Sequence, residues 1–136
     1  MSLQAAVMLV NTEDATADAL STVEDLDRRS ADFSYTGRHD RTRAELDAVR
    51  RLRPRLRELL TAERDRAVAL VNTMLAEERA LPQLVRHAPF DWHLHAVDSQ
   101  APLATRIVVE TAMAMIDVIR ADEMSRLGHC ADDDCT

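Results

Sequence analysis

The sequence predicts a mainly α protein: a single helical domain of about five helices, with one small β-hairpin and a long apolar helix at its centre. Three observations carry that expectation. The chain has 136 residues, the ordinary size of one hydrophobic core. It holds only two Gly and four Pro, too few for the many tight turns of a sandwich or barrel. Its longest patterned stretches repeat apolar residues at three- and four-residue spacing, the period of a helix with one buried face.

The elements follow in order. Val7-Met8-Leu9-Val10, closed by Asn11-Thr12, reads as a short apolar helix, although a buried strand fits the run nearly as well. Ser21 and Thr22 precede acids at Glu24 and Asp25, where a helix N-terminus favours negative charge, so a second helix is expected over 22–31. Residues 34–40, with Gly37, read as a loop. From Arg41 to Ala62, Leu46, Val49, Leu52, Leu56, Leu59 and Leu60 form one helical stripe. Pro54 interrupts it without an amide to bond back to Arg50, so either a kink or a new helix from Arg53 is expected. Asp65 is the expected cap of a further helix that runs to Arg79 and is ended by Leu81-Pro82.

Gln83–His87 and Trp92–Val97 read as two short strands around the turn Ala88-Pro89-Phe90-Asp91. Ala101-Pro102 then opens the longest helix, apolar nearly all round and expected to reach Leu127, with Gly128 as its left-handed cap. Its polar residues Arg106, Glu110, Asp117 and Arg120 keep to one stripe, and two ion pairs are expected there, Glu110 with Arg106 and Asp117 with Arg120. Met113 and Met115 could face either the core or a second subunit, which leaves a homodimer open.

Composition narrows function. Apolar residues at 46% and charged residues at 30% exclude a disordered chain and a membrane bundle. All seventeen basic residues are arginine, so lysine Schiff-base and P-loop chemistry have no candidate. No nucleophile elbow, His-Glu-x-x-His or Gly-rich phosphate loop occurs, so the chain is not expected to be an enzyme. The N-terminus has no basic n-region, and its apolar stretch is too short for a signal peptide or a span, which makes a cytoplasmic protein without a membrane partner the default.

Three groups of residues are candidates for chemistry. Cys130 and Cys135, with His129 beside them, have the spacing of two thiolates gripping one Zn²⁺, yet a closed site needs four donors; two exposed thiols are the plain alternative. His93 and His95 lie two apart, hence on one face of a strand, and with His87 and Trp92 could line a ligand or metal site beside the long helix; packed or surface histidines are the alternative. With Asp91 the same histidines would be the sole acid–base set for an enzyme. Nine arginines between 41 and 66, against five acids, give a local +4 in a chain of net charge −7. Arg50, Arg51, Arg53, Arg55 and Arg57 could meet phosphates, or cover a solvated face in pairs with Glu58 and Glu63.

Several runs together resemble one bacterial family. Leu9-Val10-Asn11-Thr12, Val71-Asn72-Thr73-Met74-Leu75, Leu81 to His87, Asp91 to Ala96, Ala112 to Asp117, Arg120 to Glu123 and Arg126 to Cys135 look, in that order, like the CGNR zinc-finger proteins and their helical ABATE region. The resemblance implies a stress-induced transcription regulator. It divides the chain into a helical ABATE-like body, 1–128, and the start of a zinc finger, 129–136, in which Cys130 and Cys135 are two zinc ligands. The family's second cysteine pair and basic stretch have no counterpart before Thr136, so the chain is expected to be the regulatory or ligand-sensing body with an incomplete finger. DNA and zinc are then expected as partners of the full-length protein, no zinc on this chain alone, and a small-molecule effector on the body. A stand-alone small-molecule or metal sensor built on His87, His93 and His95 is the alternative.

Overall fold

The computed structural model describes residues 2–12, 18–32, 38–86, 92–97, 100–124 and 127, and only the backbone at 2, 31, 32, 85 and 93–95. Among these the chain is mainly helical, with five helices and one strand pair: α1 Ser2–Asn11, α2 Val23–Asp32, α3 Arg43–Thr61, α4 Arg64–Glu77, β1 Gln83–Arg86, β2 Trp92–His95 and α5 Leu103–Arg120.

Helix α5 packs on α1, α3 and α4, while α2 lies against α3. One core results. Leu46, Val49, Leu56 and Leu59 of α3 are fully buried, as the stripe in the sequence predicts, and meet Val108, Ala112 and Met115 of α5 in the same cluster. The first apolar run is a helix: Ala6 and Leu9 are buried in the core while Met8 turns outward, a period of three rather than two. Met115 is likewise a core residue.

Pro54 does not divide α3. It lies on the exposed face, and the buried stripe runs on past it. Thr42 caps the helix, its hydroxyl accepting from the Glu45 amide at 3.1 Å. The Glu45 carboxylate reaches back to the Asp40 and Arg41 amides at 2.7 and 3.2 Å, a variant of the capping box. Asp65 is in the first turn of α4 and not its cap; Glu63 holds that position without a side-chain bond.

Helix α5 ends at Arg120, short of the expected Leu127. The apolar pattern continues into Met124 and Leu127, which pack on the core from outside the helix, so pattern alone overran the end. The stop is a backbone motif. Asp122 takes φ 57°, its amide donates to Ile119 O and the Glu123 amide to Val118 O, closing a Schellman turn with no glycine. Helix α4 ends in the same way, with Arg79 at φ 51° and its amide and that of Ala80 on Ala76 O and Leu75 O. Gly128 lies outside the described residues, but the cap it was expected to make is already formed at Asp122.

The two strands are antiparallel, pairing Gln83 with His95, Leu84 with Leu94, Val85 with His93 and Arg86 with Trp92. A Leu81 amide bond to Ala96 O extends the ladder. The hairpin's main contacts are internal.

A buried ionic knot ties α1 to α3. Arg53, 5% exposed, donates through both terminal nitrogens to Asp18 at 2.8 and 2.9 Å and to Thr12 Oγ1 at 3.1 Å. Thr12 in turn donates to Leu9 O, and Arg50 adds a third guanidinium bond to Asp18 at 3.0 Å. Asp18 also accepts from the Leu20 amide at 2.9 Å. The Arg53 bonds hold its carboxyl well below the usual carboxylate range; burial opposes this, and the Leu20 amide and the charges of Arg53 and Arg50 add to the depression. Because that carboxyl is depressed in the folded state, its stabilisation is present above the unfolded-state value and fades as pH falls below it. Asp18→Asn leaves the Arg53 charge buried against a neutral amide and is expected to destabilise the domain by about 3 kcal/mol in urea unfolding at pH 7. The gap from the parent should narrow as pH drops through the acid range; a constant gap would mean that the charge is not what matters.

Candidate functional site

The expected site residues fall in three places. His87, Cys130 and Cys135 lie outside the described residues. His93 and His95 are on β2, where the register sets Val85 and Gln83 opposite them and not His87. Trp92 is 62% exposed and faces Arg86 across the ladder. Among the described residues no group of three or more His, Cys, Asp or Glu is arranged to hold a metal ion.

Most arginines of the segment face acids or carbonyls of the same fold, chiefly at its surface, while Arg51 and Arg57 have no ion pair among the described residues. Arg50 and Arg53 close on Asp18, Arg55 on Glu77 at 3.0 Å and Arg66 on Glu58 at 2.8 Å. Arg43 meets Asp47 at 3.2 Å, and Arg64 donates to Ile119 O at 2.7 Å and approaches Asp122. Glu58 is thus a partner as expected, though of Arg66 and not of the α3 cluster; the principal acid, Asp18, lies 35 residues before Arg53 and was invisible to local spacing. Carboxylates opposite these guanidinium groups compete with any phosphate for them.

A second polar cluster, not anticipated from sequence, sits where α2, α3 and the segment before α3 meet. The His39 ring lies between two carboxylates, with Nε2 against Asp27 and Nδ1 2.5 Å from Glu45 Oε1. Arg41, at φ 54°, brings its Nε to 3.3 Å from Asp27. Arg106 of α5 donates to Arg38 O and, at 3.2 Å, to Ala101 O, and so fastens this corner to the central helix. The Thr42-x-x-Glu45 spacing was the one signal in the sequence that an acid would fold back here.

Arg106 turns its donors to those carbonyls while its charge still acts on Glu110, and among the described residues no ion pair joins Asp117 to Arg120. Glu110 Oε2 is buried without a hydrogen-bond partner. Burial pushes its carboxyl up, and the charge of Arg106 offsets that only in part. A raised folded-state value makes ionisation a penalty that grows as pH rises through it and vanishes below the unfolded-state value. Glu110→Gln is therefore expected to raise Tm by a few degrees at pH 7 and to leave it unchanged at pH 3.5; a lower Tm at pH 7 would show that the carboxylate has a stabilising partner.

An apolar cleft of about 30 Å³ opens between α1, α2, α3 and α5, bordered by Met8 and Arg29. It combines apolar walls with a cation at its edge.

A search of curated proteins finds no significant match to the sequence. A family model does match, over residues 3–122, and its description reads "Putative stress-induced transcription regulator". That span takes in the hairpin and every described helix except the first residue of α1. The chain belongs to the ABATE family.

Proposed function

We propose that the helical body is the regulatory, effector-sensing part of a transcription regulator, and that DNA is bound by a zinc finger of which Cys130 and Cys135 are the first two ligands. The observation that carries this reading is the engagement of the α3 arginines. With Arg50 and Arg53 on Asp18, Arg55 on Glu77 and, from α4, Arg66 on Glu58, most of the positive charge of this segment already faces carboxylates, and only Arg51 and Arg57 of the α3 cluster have no ion pair among the described residues, too few to hold a duplex tightly. A net charge of −7 acts in the same direction. Duplex contact then belongs to a separate basic element, and the body supplies regulation, without catalysis.

The donor set in this sequence does not by itself fit a structural zinc site. Two thiolates and the neighbouring His129 are one short of the four that close a tetrahedral site, so the remaining donor or donors have to come from elsewhere. A cytoplasmic setting suits this reading, because free thiolates persist in reducing compartments. Pairing of two bodies is compatible with it, as two-fold regulators read two half-sites.

The test is fluorescence anisotropy of the 136-residue chain on random-sequence duplex DNA with zinc present. The expected Kd is weaker than about 10 µM at physiological salt, the non-specific range. A chain extended to carry a completed finger should bind far more tightly, and only while its metal is in place. Tight, sequence-selective binding by the 136-residue chain that survives Cys130→Ser with Cys135→Ser would overturn the proposal.

A further inference from the structure

The cleft between α1, α2, α3 and α5 has the make-up of a small-molecule site. Its walls are Ala5, Leu9, Leu26, Val49 and Ile107, each at most 8% exposed, while Met8 at the mouth is 43% exposed. Two polar groups of α2 join this apolar surface. Arg29 is half-buried and makes no hydrogen bond or ion pair with a described residue, although the arginines on either side in the fold, Arg28 and Arg53, are paired. Ser30 is 8% exposed, lines the cleft, and its hydroxyl has no partner among the described residues. A hydroxyl open to the cleft beside an uncommitted guanidinium is an arrangement that a ligand oxygen would complete.

We infer that this cleft binds a small monocarboxylate with a short apolar tail, the tail between Leu9, Val49 and Ile107 and the carboxylate on Arg29 and Ser30. Charge selects the headgroup: Arg29 is a full positive charge, larger than the partial negative charge at the C-terminal end of α2, so the site favours an anion over a neutral alcohol. Size selects the tail. About 30 Å³ admits only the methyl end of the tail, and the rest of the chain lies over the open mouth at Met8. The site lies where α2, the helix attached mainly through α3, meets α1 and α5, so occupancy would bear on how firmly α2 is held. The inference rests on reading the body as the sensing part of the protein, and names the class of compound sensed.

The test is a ¹H–¹⁵N titration of the 136-residue chain with sodium hexanoate, using acetate and 1-hexanol as comparisons. Hexanoate should saturate with a Kd of about 1 mM, moving the amides of Ala5, Leu9, Ser30 and Val49. Acetate should not saturate, and hexanol should bind more weakly. Arg29→Gln, a change at a half-buried position, should weaken hexanoate about tenfold and leave hexanol unaffected. Ala5→Leu, which fills the cleft, should abolish both responses; if that variant does not fold, Arg29→Gln decides alone. Failure of hexanoate to saturate, equal affinity in Arg29→Gln, or shifts confined to the hairpin would overturn the inference. None of these outcomes alters the DNA titration, on which the regulator reading stands or falls separately.

Discussion

The buried pair of Arg53 and Asp18 is the constraint on which the arrangement of the body depends. A guanidinium 5% exposed is tolerable only where carboxylate and hydroxyl oxygens meet its fixed fork, and the fold supplies them from the end of α1 and the segment before α2. Thr12 and Asp18 thereby fix where α1 lies on α3. The register of that contact in turn sets Leu9 and Ala5 beside Val49, and so shapes the cleft. A chain without lysine has only planar, bidentate cations to work with. A two-pronged contact recurs in Arg38 with Asp40 and in Arg106 with two carbonyl oxygens, whereas Arg55 and Arg66 meet their acids through one nitrogen.

A functional consequence follows from this use of charge. Between residues 41 and 66 the sequence is basic, yet the fold turns much of that charge inward or across to neighbouring acids, and what remains outside is an acidic body. A net negative charge repels duplex DNA at long range, which is why the proposal assigns duplex contact to a distinct basic module. The proposed division of labour, with sensing in the helices and contact with nucleic acid outside them, is compatible with the family's description as a putative stress-induced transcription regulator.

Most of the fold was legible because it is written in short-range patterns. The Leu stripe of α3, the apolar circumference of α5 and the paired strand runs each depend on residues a few positions apart, and each was found where expected. Helix ends were less legible. Asp122 and Arg79 stop their helices in a conformation for which glycine is the usual signal, and Met124 and Leu127 pack on the core after the helix has ended. The site was hardest to foresee. Asp18 and Arg53 are 35 positions apart, His39 and Asp27 twelve, and Arg38 and Arg106 sixty-eight; no periodicity links such residues, and only the packed fold brings them together. Ser30 and Arg29 read as ordinary helix residues until α1 and α5 enclose them.

The central claim, that an ionised Asp18 clasped by Arg53 organises the body, is tested most directly by following the Asp18 side-chain carboxyl carbon by ¹³C NMR as pH is lowered. The account predicts a resonance that stays at its ionised position throughout the range where ordinary aspartates titrate, and changes only when the whole spectrum reports unfolding. An Asp18 signal that titrates near the ordinary value while the fold remains intact would contradict it.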